Sequence, residues 1–168
     1  MITEEDLAKT RISMRYDFSP IRNIIGDLSG LTGHFCEELI GSFYAKNISR
    51  KANIVVTELL NNAIKNNVDG DSNIVVEVEI NEERLLIRVK NVVHKEQFEK
   101  VKAYVDMINS SKDKKKLLAD TIRRRRKVRL KGGLGLIRLV AENKFRISVD
   151  YGSPFLIVES QFLLGGLR

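Results

Sequence analysis

The sequence contains a single cysteine, Cys36, and it lacks any long hydrophobic run. One cysteine cannot form an internal disulfide, which favours a reducing compartment. No stretch approaches the roughly 20 uninterrupted apolar residues that a membrane-spanning helix requires. Residues 1–11 carry three acidic side chains and no apolar block, unlike a secretory signal peptide. These absences predict a cytoplasmic protein that does not bind a membrane.

Further absences narrow the class of protein. The two histidines, His34 and His94, are isolated, and with one cysteine they provide no His/Cys metal cluster. The chain has no internal repeat and no linker rich in glycine and serine. Its 168 residues, 43% of them hydrophobic, are enough to bury a core without cross-links. We therefore predict a single domain over residues 1–168.

The spacing of apolar residues predicts a mixture of strands and helices. The predicted strands are 11–18, 73–80, 84–91, 144–151 and 155–162. The predicted helices run from Ser19-Pro20 to about residue 43 with glycine interruptions, from a cap at Asn47 or Ser49 to about residue 67, and over 134–142. Because strands and helices do not alternate regularly, we predict an α/β sandwich. Its helices pack on one face of a mixed, mostly antiparallel sheet.

A polar stripe follows one side of the helix predicted to end near residue 67. Glu58, Asn62 and Asn66 are four residues apart, which stacks their side chains along the helix beside an apolar face. A carboxylate one turn from an amide oxygen could hold a hydrated Mg²⁺ ion. The same carboxylate could activate an attacking hydroxyl or water. The alternative interpretation is a solvated polar stripe without chemistry.

A glycine-rich loop precedes the predicted helix over 134–142. Gly132, Gly133 and Gly135 permit a close backbone approach, and the first turn of the following helix presents N–H groups to an anion. No predicted strand stands in front of the loop, as a Rossmann fingerprint requires, and no Lys-Ser/Thr pair completes a Walker loop. The loop is a candidate phosphate site or, alternatively, a simple connection.

Together these two motifs resemble a known family. TELLNNAIKN at 57–66 is similar to the N box of the histidine-kinase-like ATPase superfamily, and KGGLGL at 131–136 is similar to its second glycine box. The resemblance covers about residues 11–162 and implies the Bergerat-type ATP-binding fold. In its length, the chain is most similar to the small bacterial anti-sigma-factor and switch-protein serine kinases. Within that branch it looks most like the SiaB-type kinases, which act on a small STAS-domain partner.

The resemblance implies an ATP site that uses Mg²⁺. It gives Glu58 the position of the catalytic base and Asn62 that of the Mg²⁺ ligand. Further nucleotide contacts are implied for Asn62, Asn66, Asn91, Lys131, Gly132, Gly133, Leu134, Gly135 and Leu136. The implied partner is a small STAS-domain protein, of the anti-anti-sigma type, or a sigma factor. Dimerisation is common in this branch, so the resemblance also allows a homodimer.

The chain departs from the family at the first glycine box. The family has Asp-x-Gly after the second hairpin strand, and its Asp accepts a hydrogen bond from the adenine amino group. Here Asn91 stands at the Asp position and Val93 at the glycine position. An asparagine oxygen can still accept that bond, but it carries no charge to strengthen it. The departure therefore implies weaker ATP binding or a changed base preference.

Much of the excess positive charge is concentrated in a polar, weakly helical insert over about 94–131. The resemblance implies that this insert is the ATP lid, with Lys131 or Arg129 approaching the γ-phosphate. It could also be a nucleic-acid patch or a solvated loop. The basic run at 123–127 has no interleaved aromatic residue for base stacking, which disfavours nucleic acid as a partner.

Two functions remain open from the sequence. The first is an ATP-dependent serine/threonine switch kinase that phosphorylates a small STAS-type partner. The second is a catalytically weakened binding module that sequesters a sigma factor or a STAS-domain partner without ATP turnover.

Overall fold

A computed structural model describes residues 10–128 and 133–165 of the chain. The described strands form one five-stranded sheet in the order β1-β2-β3-β5-β4. Every neighbouring pair is antiparallel, so the sheet is antiparallel throughout the described residues. The strands are β1 (Ile12–Phe18), β2 (Ile74–Ile80), β3 (Arg84–Val92), β4 (Arg146–Gly152) and β5 (Phe155–Leu163).

Helices account for most of the remaining described residues. They are α1 (Leu28–Gly41), α2 (Lys46–Asn66), α3 (Lys95–Ser110), α4 (Lys114–Lys127) and α5 (Gly135–Ala141), with a short 3-10 helix at Ile21–Asn23. The predicted α/β fold is therefore confirmed, and the basic insert consists largely of α3 and α4. Within the described part of the chain, we find no helix with the length and apolar character to cross a membrane.

The core lies between the helices and one face of the sheet. The side chains predicted for the core face of the β2–β3 hairpin are all buried: Ile74, Val76, Val78, Ile80, Leu85, Ile87 and Val89. On α2 the buried side chains recur at helical spacing: Ala52, Val55, Val56, Leu59, Leu60 and Ala63. Burying these two apolar surfaces against each other holds α2 on the sheet, and α2 carries the polar stripe.

The opposite face of the sheet is largely polar. Arg15 pairs with Glu77 across β1 and β2, and Arg88 Nε donates to Glu159 Oε2 at 2.7 Å across β3 and β5. Partly exposed ion pairs of this kind stabilise a fold by only about 0–1 kcal/mol each. They make this face of the sheet hydrophilic, which agrees with the helices packing on the other face.

The lone cysteine belongs to the core. Cys36 lies on α1 and has 0% of its surface exposed. The hydroxyl of Tyr16 on β1 lies 3.7 Å from its Sγ atom. Burial raises the pKa of the Cys36 thiol above its usual value, although the hydrogen bond with Tyr16 works in the opposite direction. The side chain therefore serves as a small buried apolar group.

The prediction that the first long helix begins at Ser19-Pro20 is wrong. The backbone is extended at Pro20 and again at Ile24, and only the 3-10 turn lies between them. Helix α1 begins at Leu28, where Asp27 Oδ1 accepts a hydrogen bond from the Gly30 N–H at 2.9 Å. An aspartate that satisfies a free N–H group defines the start of a helix better than apolar spacing upstream of it.

The predicted cap of the second helix is also wrong. Helix α2 begins at Lys46 with Ala45 in the cap position, and its cap makes no side-chain hydrogen bond. Ser49 lies inside the helix, where its hydroxyl donates to the Lys46 carbonyl at 3.2 Å. Serine and asparagine are frequent caps, but both are also tolerated within a first turn, so residue type alone did not identify the boundary.

The corrected start of α1 can be tested by helix capping. Asp27→Ala removes the acceptor for the Gly30 N–H and is expected to lower the free energy of unfolding by about 0.5–2 kcal/mol. Ser19→Ala, at the rejected start, is the matched control and is expected to leave it unchanged. Urea unfolding followed by circular dichroism measures both variants. A larger loss for Ser19→Ala than for Asp27→Ala would contradict this assignment.

Candidate functional site

A cavity of about 310 Å³ opens between α2 and the helices of the basic insert. Helix α2, the ends of β3 and β5, helices α3 and α4, and the start of α5 all contribute to its walls. Seven of the predicted site residues line it: Glu58, Asn62, Asn66, Asn91, Gly133, Gly135 and Leu136. The structure therefore brings the polar stripe of α2 and the glycine loop to one cavity.

Glu58 and Asn62 form a pair on the cavity wall. Because α2 places residues four apart on the same face, the Asn62 amide reaches the Glu58 carboxylate, and Nδ2 donates to Oε1 at 2.9 Å. Both side chains are half-buried. The Nδ2 end of the amide thus faces Glu58, which leaves the Oδ1 end directed away from the carboxylate. A metal ion would require that oxygen.

Gly135, the first residue of α5, lies directly against Glu58. A Cβ atom built on Gly135 would come within 1.6 Å of Glu58 Oε1, far inside any van der Waals contact. No side chain fits at residue 135 while the carboxylate keeps this position. The glycine therefore permits the close approach of α5 to the acidic residue of α2.

The loop in front of α5 contacts both helices of the insert. Gly133 has φ of +71°, a backbone conformation that favours glycine, and its carbonyl accepts a hydrogen bond from the Tyr104 hydroxyl at 3.2 Å. Burial raises the pKa of Tyr104, and the guanidinium groups of Arg125 and Arg124 oppose that shift. The hydroxyl therefore keeps its proton at neutral pH and remains a donor to the loop.

The far end of the cavity is formed by Asn91 among apolar side chains. Asn91 on β3 is 2% exposed, and its Nδ2 has no hydrogen-bond partner in the described part of the chain. The surrounding walls include Val89, Val93 and, on β5, Leu156. A buried donor without an acceptor costs about 1–3 kcal/mol. A ligand with an acceptor at this point would recover that energy.

The C-terminal end of α2 is fixed beside this amide. Asn67 Oδ1 accepts from the Val92 N–H, and the Val68 N–H donates to the Val92 carbonyl, each at 3.0 Å. Eight residues of helix separate Asn66 from Glu58, which corresponds to about 12 Å. The cavity is therefore elongated, with an amide among apolar walls at one end and the acidic pair with the glycine turn at the other.

Three of the predicted loop residues are not among the described residues that line the cavity. Lys131 and Gly132 lie outside the described residues. Leu134 is absent from the described lining and instead packs against a second apolar cluster that includes Ile108 and Leu118. Asn66 lines the cavity, but it is exposed, and its Nδ2 donates to the Asn62 carbonyl at 2.7 Å.

Residues of α3 and α4 that we did not name from the sequence also line the cavity. Gln97, Lys100, Val101 and Tyr104 of α3 contribute one wall, and Arg125 of α4 lies near Gly133. The α3 residues follow the spacing i, i+3, i+4, i+7, which marks one helix face. That spacing is visible in the sequence. The sequence does not indicate, however, that this face, which carries both polar and apolar residues, points toward α2.

The comparisons with known proteins bear on the fold. A chain in the crystal structure of the SiaB–SiaC complex from Pseudomonas aeruginosa matches with a TM-score of 0.62 over 89% of each chain. The two chains share this fold. Their sequences are only 16% identical, so the likeness extends to architecture alone. No protein-family model and no curated protein sequence matches the chain.

Proposed function

We propose that the chain binds ATP with Mg²⁺ in this cavity and acts as a serine/threonine switch kinase of the histidine-kinase-like ATPase superfamily. The single observation that carries the proposal is the elongated cavity itself. At one end it has the buried amide of Asn91, whose Nδ2 has no partner among the described residues. Glu58, Asn62 and Gly135 lie together at the other end. A nucleotide has the same division into a flat apolar base with a polar edge and a charged phosphate tail.

The residues present fit both halves of the proposed ligand. Apolar walls would hold the purine ring while Asn91 pairs with its edge. At the other end, Arg125 adds positive charge beside Gly133, where phosphates would lie, and Lys100 adds a second positive charge to the cavity lining. Asn62 would offer its Oδ1 atom to Mg²⁺, which prefers few protein oxygens together with phosphate and water.

In this proposal Glu58 serves as the base. When bound, ATP would supply the phosphoryl group, and the Glu58 carboxylate would orient the acceptor hydroxyl and take its proton. Phosphoryl transfer needs positioning and charge stabilisation more than covalent chemistry, so a carboxylate and nearby cations are sufficient equipment. The resemblance implies that Lys131 approaches the γ-phosphate, where it would add a further positive charge.

We further propose that the acceptor belongs to a small STAS-domain protein. The similar Pseudomonas aeruginosa structure is a complex of SiaB with a second protein, SiaC, and this supports a protein partner. The end of α4 presents Arg123, Arg124, Arg126 and Lys127, all exposed, beside the cavity-lining Arg125. Such a surface would attract an acidic partner to the mouth of the cavity.

Calorimetric titration with ATP and with ADP, each in Mg²⁺, tests nucleotide binding directly. We expect dissociation constants between about 1 μM and about 1 mM, the range in which enzymes commonly bind their substrates. The same titration with CTP is the control, because a pyrimidine cannot extend from the apolar walls to Asn91 as a purine does. No heat of binding for any purine nucleotide at millimolar concentration would contradict the proposal.

One observation favours the second candidate, a binding module without turnover. The Glu58 carboxylate accepts a hydrogen bond from Asn62 and lies against Gly135, so its contacts are already with its own chain. Such a protein would sequester a sigma factor or STAS-domain partner without ATP turnover. ATP binding without transfer to any partner, together with stable partner capture, would favour this function over the kinase.

A further inference from the structure

Resting on the proposed nucleotide site, we infer that the cavity accepts 6-oxopurine nucleotides, those of guanine and hypoxanthine, as well as adenine nucleotides. The inference names the class of base and depends on one side chain. Asn91 is buried at the apolar end of the cavity, and its donor atom Nδ2 has no partner among the residues that the structure describes. The side chain that would form hydrogen bonds with the purine edge is therefore an amide.

The strand fixes where the amide lies. Asn91 is on the core face of β3, directly across from Leu156 of β5, and both residues line the cavity. Asn91 itself is 2% exposed, so its side chain is enclosed and has little room to take another position. Rotation about the last side-chain bond remains, and it exchanges the amide oxygen with the amide nitrogen.

The two purine classes present opposite hydrogen-bonding edges. Adenine offers a donor at N6 and an acceptor at N1, whereas guanine and hypoxanthine offer an acceptor at O6 and a donor at N1. An amide has one acceptor and one donor, and a half-turn reverses their order. Asn91 can therefore pair with either edge. A carboxylate at the same position could only accept: it would pair with N1–H, and in guanine also with N2–H, but it could not donate to O6.

Near Asn91 the described residues include no acidic group that would favour adenine over the 6-oxopurines. Among the described residues that line the cavity, the one carboxylate is Glu58, more than two helical turns from Asn66 along α2. Gln97 lines the same end, but its Oε1 accepts from the His94 N–H and its Nε2 donates to the Asn66 carbonyl. The hydrogen bonds of the Gln97 side chain are with the backbone, so Asn91 is the residue that would select the base.

Titration of the full chain with ADP, IDP and GDP tests the inference. We expect IDP or GDP to bind within roughly tenfold of ADP, since the amide satisfies both edges equally. ADP binding with IDP and GDP each at least roughly 100-fold weaker would overturn the inference and leave the proposed nucleotide function intact. Binding of none of the three would overturn the proposed function, and the inference with it.

Asn91→Asp then tests the role of the side chain. A carboxylate accepts from N6 but cannot donate to O6, so we expect IDP affinity to fall at least roughly 20-fold, while ADP changes by less than about fivefold. GDP is left out of this comparison, because guanine can also donate to a carboxylate from N2. The matched control is Asn81→Asp, which makes the same change in the β2–β3 turn, where Oδ1 accepts from the Glu83 and Arg84 N–H groups at 3.0 Å. Equal losses for ADP and IDP in Asn91→Asp would contradict a role of Asn91 in recognising the base. If Asn91→Asp does not fold, the wild-type titration still decides.

Discussion

Glu58→Gln is expected to reduce phosphoryl transfer to the partner by about 10²- to 10⁴-fold, with nucleotide affinity little changed. Glutamine has nearly the same shape as glutamate, and its Oε1 can still accept the hydrogen bond that Asn62 Nδ2 donates to Glu58. It cannot take a proton from an attacking hydroxyl. Transfer is measured with labelled ATP and a small STAS-domain protein as the candidate acceptor, and affinity is measured by calorimetry.

Glu37→Gln is the matched control for this experiment. Glu37 also accepts a hydrogen bond from an amide, that of Asn53 at 2.6 Å, but it lies on α1 and does not line the cavity. Its replacement is expected to leave transfer unchanged. Transfer by Glu58→Gln at the wild-type rate would remove Glu58 from the proposed chemistry. Absence of transfer from the wild-type chain, with ATP still bound, would favour the binding module instead.

Gly135→Ala is expected to lower transfer by roughly 100-fold while the chain stays folded. A Cβ at residue 135 would lie 1.6 Å from Glu58 Oε1, whereas ordinary contact begins near 3.4 Å, so the carboxylate must move. It is the far end of a flexible side chain and can move without disturbing the core. Alanine in α5 also favours the helix over glycine by up to about 1 kcal/mol, which limits any loss of stability.

The control for this substitution is Gly152→Ala, at the end of β4. A Cβ there would meet nothing within 4 Å, so neither transfer nor stability should change. Thermal unfolding and labelled transfer are measured on both variants. Full activity in Gly135→Ala would mean that the contact between α5 and Glu58 has no part in the reaction. Unfolding of Gly135→Ala alone would mean that the contact is structural.

The sequence predicted best those elements whose apolar period is regular. The alternation in β2 and β3 and the spacing on α2 identified the core face, because nearly every apolar residue at these periodic positions is buried against the other element. The start of α1 failed for the opposite reason. Ile21, Ile24 and Ile25 mimic helical spacing, yet Ile25 is fully exposed and the helix begins only after Asp27. Local capping, which spacing does not record, decided that boundary.

The candidate site could be predicted only in part. Glu58, Asn62 and Gly135 stood out because their spacing or residue type is unusual for a helix or a loop. Tyr104 and Arg125 did not, because their position at the cavity depends on how α3 and α4 fold back over α2. The unpartnered state of Asn91 Nδ2 is likewise a tertiary property, since it depends on what β5 and α2 place around it.

The burial of Cys36 has a practical consequence for spectroscopy. Its thiol is inaccessible and its pKa is raised, so maleimide or nitroxide reagents will react with it slowly in the folded chain. Thiols introduced at exposed positions on α2 and α4 could then carry probes without background labelling. Distances between such probes, recorded with and without nucleotide, would report whether the basic insert moves over the cavity when nucleotide binds.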